Sequence, residues 1–252
     1  MQLIDNTRGN YRFLKGIAPY SAGVEPMPGF EIVHAVFRQP PPIAEGFDRV
    51  SQHLAARDLP RQHLCALELR IPQPLSFSGF RAFNEEYLRV LDDWDLPVGS
   101  NNPVARTNVS PEHAPPREPA LYAFSYTAPC DEGSAGGTFI VAGAGDLKDQ
   151  ADLTPGAIVR PGELSTDAMR EKATVVLQVM TDRLAGLRRS WKDVTAVDVY
   201  TVHPMRDLLQ SLLLNRIGDA SIHGIRWHFT RPPIEGLEFE MDVRGVHSER
   251  IL

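Results

Sequence analysis

"RVSQHLAARDLPRQHLCALELRI" (49–71) and "VMTDRLAGLRRSWKDVTAVDVYT" (179–201) lie 130 residues apart and share one pattern of apolar positions. Superposed without a gap, Leu54 faces Leu184, Ala66 faces Ala196, Glu68 faces Asp198 and Leu69 faces Val199. Each block changes from the helical spacing of apolar residues to a strand-like run. Pattern shared at a fixed offset marks an internal repeat, so the fold is read once and applied twice.

Working outward from the second block, "DAMREKATVVLQVMTDRLAGL" sets Ala173, Val176, Leu177, Met180, Leu184 and Leu187 on one helical face. Ser165 or Thr166 suits its start and Gly186 its end. A strand follows in "DVTAVDVYTV", then Pro204 opens a helix, "PMRDLLQSLLLNRI", with Met205, Leu208, Leu209, Leu212 and Leu213 inward. "HGIRWHFTRPPIEGLEFEMDVRG" (223–245) adds two strands around a Pro-Pro turn. The first half repeats the order with helix "GFDRVSQHLAARDL", strand "HLCALELRI", helix "SGFRAFNEEYLRVL" and strands "NPVARTNVSP" and "PALYAFSYTAP". Arg106 and Arg226 are only 120 apart, which puts ten extra residues around "QPLSFSG" and "DDWDLPVGSNN".

These elements predict an α+β fold of two tandem β-β-α-β-α-β-β domains, each a mixed sheet with helices on one face. The Gly/Ser-rich "CDEGSAGG" (130–137) supplies the boundary, giving domains 1–130 and 131–252. Each sheet then has an uncovered face, and the other copy is the nearest partner for it.

At 252 residues, 42% hydrophobic and 23% charged, the chain has enough apolar material for a real core. A net charge of −6 with scattered Lys and Arg argues against nucleic acid or an anionic membrane as partner. No apolar run approaches the roughly 20 residues that span a bilayer, and the N-terminus does not read as a secretion signal. Cys65 and Cys130 are too few for a disulfide scaffold, so the expected location is cytoplasmic. The eight histidines are dispersed without metal-ligand spacing, and "AGAGD" (142–146) lacks the full dinucleotide fingerprint, so no cofactor and no metal are expected.

Candidate chemistry lies on the last two strands. A period of two sends Glu238, Glu240 and Asp242 to one face, and Arg226, His228 and Thr230 likewise share one. If the strands pair across "RPPIEG", Arg226 and Glu238 meet, either as a surface pair of little energetic worth or as an anion clamp beside a general acid–base.

Taken in order, "APYSAG" (18–23), "FNEEY" (83–87), "PVARTNV" (103–109), "TFIVAGAGDL" (138–147) and "GLEFEMDVRG" (236–245) resemble the Rid (YjgF/YER057c/UK114) family, here as a tandem fusion. The resemblance implies trimers with clefts between neighbours, where an arginine holds a substrate carboxylate and a glutamate helps water attack an imine carbon. It carries the arginine to Arg106 and Arg226, the glutamate to Glu238, the early tyrosine to Tyr20 and the Ser-Gly glycine to Gly143, with His228 beside the second arginine. Ala142 replaces the usual serine, and Tyr122 or a neighbour stands where the first half would offer a glutamate.

The implied function is a cofactor-free hydrolytic deaminase of an enamine or imine carboxylate. Within the family, 2-aminomuconate or a substituted 2-aminomuconate from aromatic ring cleavage fits best, because Arg106 and Arg226 would hold its two carboxylates if they converge. Alternatives are a broad 2-imino acid deaminase and a non-catalytic metabolite-binding protein. A small carboxylate is the expected partner, and a homo-oligomer, by family habit a trimer, the expected assembly.

Overall fold

The computed structural model describes residues 1–130 and 137–252. In the first repeat, β4 (Phe30–Val36), α1 (Ile43–Ala55), β5 (Leu64–Arg70), α2 (Phe77–Asp93), β6 (Ala105–Pro111) and β7 (Ala120–Pro129) follow β1 (Leu3–Asn6), β2 (Tyr11–Leu14) and β3 (Gly23–Pro26). The second repeat has β8 (Phe139–Gly145), α3 (Thr166–Gly186), β9 (Ala196–Tyr200) and α4 (Arg206–Leu208). A π-helical segment, Leu209–Leu214, then leads into α5 (Asn215–Ile217), β10 (Arg226–His228), β11 (Thr230–Arg231), β12 (Glu240–Gly245) and β13 (Ser248–Ile251).

Topology makes the repeat explicit. The first repeat arranges its strands β4-β7-β5-β6 and the second β8-β12-β9-β10. In both, the central pairings are antiparallel and the last pair, β5 with β6 or β9 with β10, is parallel. The fold is α+β in two tandem units, as the patterning implies. Three strands extend one sheet to β1-β2-β3-β8-β12-β9-β10, and two cap the other as β11-β6-β5-β7-β4-β13. Strands are thereby exchanged across residue 130: β1 to β3 complete the sheet of the second repeat, while β11 and β13 complete that of the first. The boundary expected inside "CDEGSAGG" falls on residues outside those described.

Helices lie on the outer faces. Val50 and Leu54 of α1 and Tyr87 and Leu91 of α2 join Leu67, Leu69 and Phe124 in one core. Ala173, Val176, Leu177, Met180, Leu184 and Leu187 pack on Phe139, Val141, Met241 and Val243 in the other. Ser76 and Ser165 cap α2 and α3 by accepting from the backbone N–H groups of Gly79 and Ala168, each such cap contributing about 1 kcal/mol. Leu209, expected inward, is 36% exposed, because the π-helical turn that begins there rotates it off the buried stripe.

The inner faces meet each other, as two sheets left half-bare require. Tyr11, Phe13, Val24, Ile32, Cys65, Ala66, Ala105 and Ala142 form an apolar seam. Beside it the contact is polar: Thr107 Oγ1 (2.7 Å) and Tyr200 Oη (2.8 Å) both donate to Asp242 Oδ2, and Arg244 Nη1 reaches Asp198 Oδ2 at 2.5 Å.

One expectation fails. The strands on either side of "RPPIEG" do not pair, because β9 lies between β10 and β12 and bonds to both. Residues after β10 instead leave for the opposite sheet, where Thr230 and Arg231 pair with Pro111 and Ser110 of β6.

Candidate active site

Where β6 runs past β8 and β12, side chains from both repeats line a narrow cleft of about 30 Å³. The "PVARTNV" strand supplies Arg106, which is 3% exposed. Its guanidinium lies 4.8 Å from the ring centre of Tyr20 and 4.6 Å from that of Tyr87, with Phe80 and Phe83 slightly farther. This aromatic box stabilises a cation without neutralising it. Arg106 Nη2 donates to Asn84 Oδ1 at 2.7 Å, while Nη1 has no partner. Asn84 and Tyr87 come from "FNEEY", whose 3.6-residue period turns them inward together on α2.

Two residues along β6, Asn108 is buried in the cleft wall with both its amide oxygen and nitrogen unpartnered. A buried polar group left without a partner costs about 1–3 kcal/mol, so three such atoms around one cavity describe a place made for a polar ligand.

Glu240 faces Arg106 from the first position of β12. Burial and, next, the charge of Asp242 push its carboxyl well above the usual carboxylate range, against the pull of Arg183 and Arg106. Gly143 makes room for it, since a Cβ there would stand 2.4 Å from Glu240 Oε1. Arg183 of α3 fixes this part of β8 by donating from Nη1 to the carbonyls of Ala142 (2.8 Å) and Gly143 (3.1 Å). The start of β12 is tied down by the fully buried Asp146, whose Oδ1 accepts from the backbone N–H groups of Glu238 (2.9 Å) and Phe239 (3.2 Å). Lys172 Nζ holds the other oxygen of Asp146 at 2.8 Å. Burial raises the Tyr20 hydroxyl above its ordinary pKa even beside Arg106. Leu147, Leu153, Ile234 and Leu237 form the apolar wall.

Arg106, Tyr20 and Gly143 are thus brought together. Arg226, His228 and Glu238 are elsewhere. Arg226 and His228 line a second cavity of about 200 Å³ at the other seam. There Arg226 reaches Glu249 at 3.3 Å, and His228 Nε2 lies 2.8 Å from Asp198 Oδ1 with its ring stacked on Tyr200. Glu238 lies in neither cavity: its carboxylate meets His203 Nε2 at 2.7 Å, with Arg231 at 3.9 Å. Within one chain the two arginines therefore line separate cavities.

The polar cleft residues Glu240, Asn108 and Gln150, and Asn84, which holds Arg106, were not singled out by the sequence. Alternation places Glu240 on the same strand face as Glu238, so the period marks two glutamates and does not choose between them. What separates them is that the strand pairing begins at Glu240 and carries it between the sheets. Among the described residues, no three His, Cys, Asp or Glu side chains converge as a metal-binding group, and no helix is long and apolar enough to cross a membrane.

The chain is similar to known proteins along nearly its whole length. A 2-amino-5-chloromuconate deaminase of Comamonas testosteroni is 39% identical over 244 residues, covering 97% of this chain and 96% of the relative. A crystal structure of chorismatase aligns over 97% of this chain and 79% of its own, with a TM-score of 0.52 at 14% identity, a likeness of fold. A YjgF-family protein of Neisseria meningitidis aligns over 49% of this chain and 98% of its own, with a TM-score of 0.23 at 16% identity. Residues 3–250 match the family described as 2-aminomuconate deaminase CnbZ, and the chain therefore belongs to that family of deaminases, hydrolases acting on C–N bonds.

Proposed function

We propose that this protein hydrolyses 2-aminomuconate or a substituted 2-aminomuconate to the 2-oxo acid and ammonia, at the cleft of Tyr20, Arg106, Asn108, Gly143 and Glu240, whose side chains move apart from the closed volume of about 30 Å³ to admit it. The observation that carries the reading is the set of unpartnered polar atoms there, Arg106 Nη1 and both ends of the Asn108 amide, facing a carboxyl group held toward its neutral form. Arg106 takes one carboxylate. Asn108, roughly 7 Å farther along the strand by its two-residue spacing, takes the other from the far end of a six-carbon chain. The apolar wall covers the carbons between them and suits a substituent such as chlorine, which the Comamonas relative's substrate carries.

Glu240 supplies the protons in sequence. As the neutral acid it protonates the enamine carbon, leaving a carboxylate and an iminium ion. That carboxylate then takes a proton from water as the water oxygen bonds to the iminium carbon, giving a carbinolamine. Returning the proton to nitrogen lets the C–N bond break and ammonia leave, with the oxygen's lone pair closing the carbonyl. The carbonyl's own proton restores neutral Glu240. A raised pKa suits a cycle that begins with proton donation at neutral pH.

The test is ammonia release from freshly generated 2-aminomuconate, its 5-chloro analogue and an imine made in situ from a simple amino acid. Rapid turnover confined to the dicarboxylates is expected. Preference for the simple imine would indicate a broad imine deaminase, and ammonia from none of them would indicate a metabolite-binding protein.

A further inference from the structure

By the repeat, β10 stands to β9 as β6 stands to β5, but the two arginines are not equivalent positions: Arg106 lies opposite Leu67, whereas Arg226 lies opposite Asp198, the counterpart of Glu68, so Arg226 stands where Thr107 stands, at the second seam between the sheets. The two clefts differ in what meets the guanidinium. Arg106 has a nitrogen without a partner, whereas both terminal nitrogens of Arg226 point at a carboxylate: Nη1 is 3.3 Å from Glu249 Oε1 and Nη2 3.5 Å from Oε2. Arg244 Nη2 donates to the same Oε1 at 3.0 Å. A two-pronged contact from a planar guanidinium is the arrangement by which arginine recognises a carboxylate ligand.

Glu249 belongs to β13, which is no part of the repeat and which pairs in parallel with β4, bringing Glu249 opposite His34. We propose that the second cleft is a carboxylate-binding site that the chain fills with its own Glu249 side chain, so each chain offers one open arginine cleft and one that is self-occupied. Further atoms mark the cavity as built for a ligand: His34 Nε2, 2% exposed, and Arg244 Nε both line it and have no hydrogen-bond partner. Its volume of about 200 Å³ accepts a small molecule, and Glu68 and Asp198 on the walls favour one bearing a single negative charge. The site is thus matched to small monocarboxylates, and a glutamate side chain is in effect a tethered propionate.

The inference does not depend on the reaction proposed for the first cleft, and the experiment keeps the two apart. Propionate is titrated against Arg106→Met and Arg106→Met/Glu249→Ala, following bound equivalents by calorimetry and the Arg226 side-chain signals by NMR. Glu249→Ser serves as a second opening substitution. The expected result is one more equivalent of propionate per chain when Glu249 is truncated, lost again on adding Arg226→Ala and absent with propionamide. No gain in either truncated variant, or a gain that survives Arg226→Ala, would overturn the proposal.

Discussion

Gly143 is the residue at which packing and chemistry meet most tightly. The Glu240 carboxyl group rests against its Cα, and a single added methyl would fall within 2.4 Å of Oε1. Gly143→Ala is therefore expected to swing Glu240 away from Arg106 and to lower kcat by about 100-fold, the low end of what general acid–base catalysis supplies. Arg106 would be left in place, so binding of a non-reacting dicarboxylate, measured by calorimetry, should change far less. Gly143 was legible in the sequence through the Ser-Gly position of the family motif, as were Tyr20 and Arg106. The glutamate proposed as the acid, Glu240, lies two positions from Glu238, the one to which the motif points. Glu238 and Glu240 share strand parity, and what distinguishes them is a long-range fact: Glu238 bonds His203 outside the cleft, while Glu240 enters the space between the sheets. Asn108 carried no signal of its own, because an asparagine on a strand gains meaning only when its amide is found buried and unpaired.

At the scale of elements, β12 delivers its alternating residues to two environments. Phe239, Met241 and Val243 enter the apolar core under α3, while Glu240, Asp242 and Arg244 project between the sheets. The hydrophobic period alone implied this division. It did not reveal that the polar row would be buried, since that depends on a second sheet closing over it. Burial is why the Asp242 carboxyl is pushed up to about 8, with Asp198 and Glu68 adding to the shift and Arg244 opposing it. Between its ordinary value of 3.8 and about 8, the folded chain keeps a proton that the unfolded chain has released. Stability contributed by this group therefore falls as the pH rises through that window. An amide in place of the acid can still accept from Thr107 and Tyr200 through its carbonyl oxygen, so Asp242→Asn is expected to lose less stability than the wild type between pH 6 and pH 8. Urea unfolding at the two pH values checks this, and an equal loss in both proteins would show that Asp242 is ionised throughout. The pairing across "RPPIEG" was misread for a related reason. Two strands separated by a short turn suggest a hairpin, but the Pro-Pro segment passes to the other sheet, where Leu75 bonds the backbone at Pro233 and Glu235.

For the whole molecule, the repeat read from two 23-residue blocks accounts for the two stacked sheets and for why each covers the other's bare face. The exchange of strands was invisible, because β1 to β3 and β13 lie outside the repeated blocks and no local pattern says which sheet they will join. Its consequence is that a fragment 1–130 would carry β1 to β3 without β8, the strand they pair with, and a fragment 131–252 would carry β13 without β4. Neither fragment is expected to give a dispersed NMR spectrum alone, while the two expressed together should recover folded protein. Well-folded separate fragments would count against the interlocked reading. The cleft itself is assembled across the same division, with Tyr20, Arg106 and Asn108 from one side and Gly143 and Glu240 from the other. The central claim is that this one cleft, with Glu240 as its acid, carries out deamination. Its most direct test is the rate of ammonia release from 2-aminomuconate by Glu240→Gln and Glu238→Gln, measured side by side. A fall of about 100-fold or more for Glu240→Gln, with Glu238→Gln within a few-fold of wild type, is the predicted result. The reverse order, or an unimpaired Glu240→Gln enzyme, would contradict it.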